Sequence, residues 1–212
     1  MIKSQLNTSV QSNIEFSSLP KEQTIKAILQ FLQVYLPLFS QSFLAEGLFI
    51  HKEDDISRKL SPFLQNKIEN LIIQFDAKEG SDFIIYIKPY FLSAKPIFLL
   101  EAKRLDQDKR DYVAGKTGGI ERFKREQKGY GKDLTTSAML GYIQQYSKEY
   151  WFEKVNAWIA EMIKEKVELS WNENDKLVGE KEFSDFISKH DRITQPPITL
   201  YHFWLILYKQ QA

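Results

Sequence analysis

The chain has 212 residues, a formal net charge of +1 and 43% hydrophobic residues, which suits one α/β domain with a real core and excludes a disordered chain. With no Cys and three His it cannot form disulfides or Cys-based zinc sites, and a His-rich zinc site is disfavoured; any metal would sit on carboxylates, which favours Mg²⁺ or Mn²⁺. No apolar run reaches the roughly 18 residues of a membrane span, the polar N-terminus lacks a signal-peptide core, and a cytoplasmic location is the expectation.

Residues 1–17 read as a loose N-terminal arm, and 18–212 as a single domain. Ser18 and Pro20 suit the start of a helix, and Ile25, Ile28, Leu29, Leu32 and Leu36 continue it at helical spacing until Pro37 ends or kinks it. A second helix opens at Glu53-Asp54-Asp55, where acids complement the helix dipole, and buries Ile56, Leu60, Phe63, Leu64 and Ile68, with Pro62 a contradiction inside it. The pattern then changes to short β-like runs: Leu71–Phe75, Phe83–Ile87 after the turn at Lys78–Ser81, and Ile97–Lys103 after the turn at Ser93–Pro96. The last is apolar until Glu101, which predicts a central strand buried on both faces.

Gly115, Gly118 and Gly119 form a connection into a short basic helix, Ile120–Gln127. A strand over Ala138–Ile143, an amphipathic helix over Tyr150–Lys166 and a closing strand over Ile198–Tyr208 follow, with a polar, loop-like stretch at 170–197. The Trp151–Trp158 stripe reads as core or interface, and His202, inside an apolar strand, as a satisfied core histidine. His190 and Arg192 could clamp a phosphate or belong to a polar loop; Gln144 is assigned to structure. The core order is α-β-β-β-α-β, a mixed central sheet with helices on its faces.

Glu101 and Lys103 lie two apart on one strand, so both point to the same face, about 6–7 Å apart along the chain. A carboxylate and an ammonium at the end of an apolar strand are costly unless they pair or bind something. If the strands 83–90 and 95–103 form a hairpin, Asp82 falls beside that pair. Two carboxylates can hold a hard divalent cation, which polarises a phosphodiester and lowers the pKa of a bound water. The Lys can orient that water or stabilise charge on the phosphate. From Lys103 to Lys132 ten basic residues face five acidic ones, either a solvated face or a grip for a nucleic-acid backbone. Arg122 has the same two readings, a phosphate contact or a surface charge.

Asp82 before an apolar strand, then Glu101-x-Lys103 on the next, in this element order, resembles the PD-(D/E)XK (restriction-endonuclease-like) nuclease superfamily. Ser81 stands where the motif's Pro is expected. Tyr112-Val113, Gly119–Phe123, Tyr130-Gly131, Met139–Tyr142, Ser188–Arg192 and Ile198–Phe203 resemble one bacterial branch of unassigned or defence-related role, so the resemblance spans about 50–208. It implies an α/β, restriction-endonuclease-like fold and Mg²⁺-dependent hydrolysis of phosphodiester bonds, with DNA the preferred substrate and Mn²⁺ able to substitute. It implies Asp82 and Glu101 as metal ligands, Lys103 as the catalytic Lys and Glu53, or Asp54 or Asp55, as the helical acid. Arg122, Lys116, Lys124 and Arg125 are the expected nucleic-acid contacts. A homodimer or a targeting partner fits this class. The alternative is a non-catalytic nucleic-acid-binding or regulatory subunit that retains the fold.

Overall fold

The structure, a computed structural model, describes residues 19–76, 81–88, 95–115, 118–126, 130–165 and 169–209; the side chains of Asp76, Ser81 and Asp82 are outside that set. The arm expected over 1–17, and Lys78–Gly80 and Ser93–Ala94 of the two expected turns, lie outside the described residues.

The first helix, α1, runs Lys21–Ala45. Its buried stripe of Ile28, Leu29, Leu32 and Leu36 continues into Phe39 and Phe43, so Pro37 stands inside the helix rather than at its end. An interior Pro costs about 3 kcal/mol. Two buried Phe side chains return about 1.5–3 kcal/mol each, and Phe39 packs edge-on against Phe63 at 5.4 Å. Tertiary burial therefore outweighs the local break. By length and composition α1 is also apolar enough to cross a membrane, with a mean hydropathy of 1.3 over an 18-residue window, a test that the core helix of a soluble protein passes as well. In the fold its stripe packs on the sheet.

The second helix, α2 (Glu53–Gln65), lies beside α1 on the same sheet face and tolerates Pro62 in its last turn. Three strands follow as an antiparallel meander: β1 (Leu71–Asp76), β2 (Ser81–Ile87) and β3 (Phe98–Leu105). A short crossover helix, α3 (Gly119–Arg125), leads to β4 (Thr136–Ile143), parallel to β3. Helix α4 (Lys148–Glu165) then precedes β5 (Val178–Gly179), β6 (Phe186–His190) and β7 (Ile198–Ile206). The seven strands form one mixed sheet, ordered β1-β2-β3-β4-β7-β6-β5.

The sheet divides the core into two layers. Leu100, Ala102, Leu140, Tyr142 and Phe203 face α1 and α2. Leu99, Leu105, Met139 and Trp204 face α3 and α4, where Trp151 and Trp158 are buried as core. Every residue of β3 except Arg104 is buried, as the apolar run predicted.

Residues 170–197 depart most from expectation. They hold a 3₁₀ turn (Glu173–Asp175) and strands β5 and β6. In β6 the inward positions are Ser188 and His190, both buried. A strand that buries hydrogen-bonded polar side chains has no apolar alternation to reveal it.

Candidate active site

Alternation along β3 turns Glu101 and Lys103 to the same face as Leu99 and Leu105, the side covered by α3. Glu101 is 0% exposed, and a carboxylate there requires compensation. It is surrounded by donors. Lys103 Nζ lies 2.6 Å and Arg122 Nη1 2.7 Å from Oε1, and the Tyr130 hydroxyl donates to Oε2 at 2.5 Å. The Arg122 guanidinium stacks over the Tyr130 ring at 4.6 Å, and Tyr130 stands edge-on to Phe123 at 4.8 Å.

Among the described residues Lys103 Nζ contacts Glu101 Oε1, the Ala102 carbonyl at 2.9 Å and Glu53 Oε1 at 3.3 Å. Glu53, the first residue of α2, also accepts the Arg104 N–H at Oε2, 2.7 Å away. That bond ties the start of α2 to the end of β3. Burial pushes the Glu53 carboxyl above its ordinary pKa, Lys103 and the Arg104 N–H oppose the rise, and the Glu101 charge adds to it. Glu53 thus joins the cluster, whereas Asp54 and Asp55 are exposed.

Asp82 lies in β2. The β2–β3 ladder pairs Phe83 with Leu100, and one step further along both strands sets Asp82 level with Glu101. Its side chain lies outside the described residues. Among the described residues no three His, Asp or Glu side chains are grouped so as to hold a metal ion.

The basic helix is not one phosphate-gripping face. Arg122 points in to Glu101. Lys124 is fully buried, paired with Asp175 at 2.6 Å and set over the Trp171 ring at 4.8 Å, so it is corrected from a nucleic-acid contact to a core cation. Arg125 is part-exposed and pairs with Glu121 at 2.5 Å. Lys116 lies outside the described residues. Residues 122, 124 and 125 diverge because successive helical positions turn about 100° apart. Arg104 with Asp106, and Arg110 with Glu161 and Glu165, are neutralised in the same way.

No family model, curated protein or solved structure matches the chain. The geometry of the cluster therefore carries the functional reading.

Sequence reasoning missed a second polar assembly. Trp204 Nε1–H donates to the Tyr112 hydroxyl at 2.9 Å, which meets His202 Nδ1 at 2.8 Å. His202 Nε2 meets Ser188 Oγ at 2.7 Å, Ser188 Oγ meets His190 Nε2 at 2.6 Å, and His190 Nδ1 meets Asp175 Oδ1 at 2.5 Å. Asp175, His190 and Ser188 follow the order of a hydrolytic triad. Ser188 is only 3% exposed and Asp175 is already held by Lys124, so no substrate reaches this serine. His202 is the satisfied core histidine expected from the sequence, and His190 belongs with it rather than with a phosphate clamp. Arg192 instead holds the Gly131, Leu134 and Pro196 carbonyls. Gln144 donates to the Ile50 carbonyl at 2.6 Å, a structural role. The signal in the sequence was the spacing of Ser188 and His190, polar residues two apart and so on one face of a strand.

A groove of about 410 Å³ opens between α1 and β7, around Ser40, Lys148 and Asp185, and is lined by none of the cluster residues.

Proposed function

We propose that Glu53, Glu101, Lys103 and Arg122, completed by Asp82, form the site of a metal-dependent nuclease of restriction-endonuclease-like fold, with Mg²⁺ as cofactor and DNA as the preferred substrate. The observation that carries the reading is the Lys103 ammonium seated against the oxygens of Glu101, Ala102 and Glu53 at the end of β3, next to a fully buried carboxylate. The element order supports it: a helix, three antiparallel strands, a crossover helix and a strand parallel to the third. So does the level of Asp82 with Glu101.

The donor set suits a hard cation. The Glu101 carboxylate and the Ala102 carbonyl already surround a cationic nitrogen, and Asp82 adds a second carboxylate at the same level. When bound there, Mg²⁺ would polarise the phosphodiester and acidify a bound water. Lys103 then donates from Nζ to the attacking water or to a phosphate oxygen. Arg122, whose planar fork matches phosphate geometry, stabilises charge developing on the phosphate. Glu53 orients Lys103 from α2.

Plasmid, single-stranded DNA and RNA are incubated with Mg²⁺, Mn²⁺ or chelator, beside Lys103→Ala and Asp82→Asn. Cleavage is expected only with metal and falls at least about 100-fold in both variants, the size of an effect lost with one transition-state donor. Cleavage that persists in chelator, or in both variants, overturns the reading. A second reading, a non-catalytic nucleic-acid-binding subunit, draws on the saturation of both Glu101 oxygens by protein donors; it predicts binding without cleavage under every condition.

A further inference from the structure

The buried chain running from Trp204 to Lys124 has one arrangement of protons. An indole N–H and an ammonium only donate, and a carboxylate only accepts. Trp204 donates to Tyr112, so the Tyr112 hydrogen goes to His202 Nδ1. His202 is then protonated on Nε2 and donates to Ser188. Ser188 donates to His190 Nε2, and His190, protonated on Nδ1, donates to Asp175. Asp175 Oδ1 also receives Lys124, and its Oδ2 receives the Asn172 N–H at 2.7 Å. With both imidazoles neutral each hydroxyl and each ring N–H in the chain has an acceptor. A proton added to either ring would place two hydrogens between that ring and a hydroxyl and leave a buried hydroxyl hydrogen without an acceptor.

The chain ends on α3, two residues from Arg122. Helix α3 has seven residues and no side-chain N-cap, too short to hold itself, so tertiary anchors set its position. Ile120 and Phe123 supply apolar contact, and Glu126 binds the Thr194 and Gln195 N–H groups. Lys124 and Arg122 leave the helix about 200° apart, one toward Asp175 and the other toward Glu101. A shift of the Lys124 anchor therefore moves Arg122 on the far side.

We infer that Lys124 is a positioning residue: its buried pair with Asp175, fixed by the Tyr112–His202–Ser188–His190 chain, holds α3 where Arg122 meets Glu101. Its effect on cleavage rests on the nuclease reading; its effect on Arg122 does not.

The test uses the full chain and two variants, Lys124→Gln and the neutral double variant Lys124→Met/Asp175→Asn. The double variant leaves no unpaired buried charge and keeps an oxygen for His190, so it covers the case in which Lys124→Gln fails to fold. Nitrogen-15 NMR of the wild type is expected to show neutral His202 protonated on Nε2 and neutral His190 on Nδ1. The Arg122 guanidinium, clamped between Glu101 and Tyr130, is expected to give separate, slowly rotating Nη signals. Folded Lys124→Gln, or the double variant, is expected to lose that restriction. In cleavage assays the loss in kcat should approach that of Arg122→Gln, about 10-fold or more, with KM little changed. Adding Arg122→Gln to Lys124→Gln should cost nothing further. Arg122 signals that stay restricted in the folded variants overturn the inference, as do fully additive losses. If the wild type does not cleave, the nuclease reading fails alone and the NMR arm still decides the role of Lys124.

Discussion

At the scale of single residues, the charges at the end of β3 bind one another before they bind anything else. A carboxylate in a metal site is often a liability in the free protein, because neighbouring carboxylates repel. Glu101 lies close enough to Glu53 to raise its pKa, and among the described residues Lys103, Arg122 and Tyr130 offset that charge. Glu101→Gln removes the counter-charge of two largely buried cations and is expected to destabilise the fold by about 3 kcal/mol, the scale of a broken buried pair. Urea unfolding at neutral pH checks this; an unchanged midpoint would mean that the carboxylate does not hold the two cations. The histidines give a pH dependence of known sign. Burial holds His202 well below its ordinary pKa, and burial lowers His190 against the opposing pull of Asp175. The unfolded chain therefore takes up protons near pH 6.5 that the folded chain refuses. Stability is complete above about pH 6.5 and falls as the pH drops toward the folded values, by up to about 2.7 kcal/mol per unit if both rings contribute. Urea midpoints at pH 7.5 and pH 5.5 measure the slope, and His202→Gln is expected to flatten it.

At the scale of elements, close approach and local strain decide where the sequence pattern holds. Gly141 pairs with Lys103 across the β3–β4 ladder. A Cβ there would lie 2.4 Å from Trp204 Cδ1 and 2.8 Å from Leu105 Cδ1, contacts that both side chains would have to yield. Gly141→Ala is expected to cost about 1–3 kcal/mol by overpacking, read as a lower thermal midpoint with the fold retained. Pro37 gives the opposite case. It is exposed, breaks no buried contact and interrupts a helix that continues past it. Pro37→Ala is expected to stabilise the chain by about 1 kcal/mol, less than the full helix-interior penalty because Pro also restrains the unfolded chain. Loss of stability would show that the Pro shapes α1 rather than being carried by it. The helices and strands around Glu101 were legible because each carries an apolar stripe or run. The strand β6 was not, because Ser188 and His190 are buried by hydrogen bonds that reach other elements.

At the scale of the whole molecule, much of the basic excess counted along 103–132 is taken up, among the described residues, by ion pairs within the protein. Lys103, Arg104, Arg110, Arg122, Lys124 and Arg125 all pair with acids, several of them from distant elements. Each nucleic-acid phosphate neutralised by a protein cation contributes about −0.9 to the slope of log K against log salt. With six of the described cations of this segment paired to acids, non-specific DNA binding is expected to show a shallow slope, about −3 or less steep. Fluorescence anisotropy between 50 and 200 mM salt measures it; a slope near −8 would show a basic face that the ion pairs do not leave.

The sequence by itself determined the order of the elements other than β5 and β6, the buried central strand and the placement of Glu101 and Lys103 on one face, because periodicity and alternation are properties of neighbours along the chain. It could also place Glu53 at the start of a helix, but not choose it over Asp54 or Asp55. Only the tertiary structure decided that choice, by bringing the first turn of α2 against the end of β3. It also turned Lys124 inward and joined Tyr112, Asp175, Ser188, His190 and His202 into one chain. Those pairings span up to 90 residues. Local pattern carries no information about which distant partner will satisfy a buried charge, and the need to satisfy it is what set these contacts.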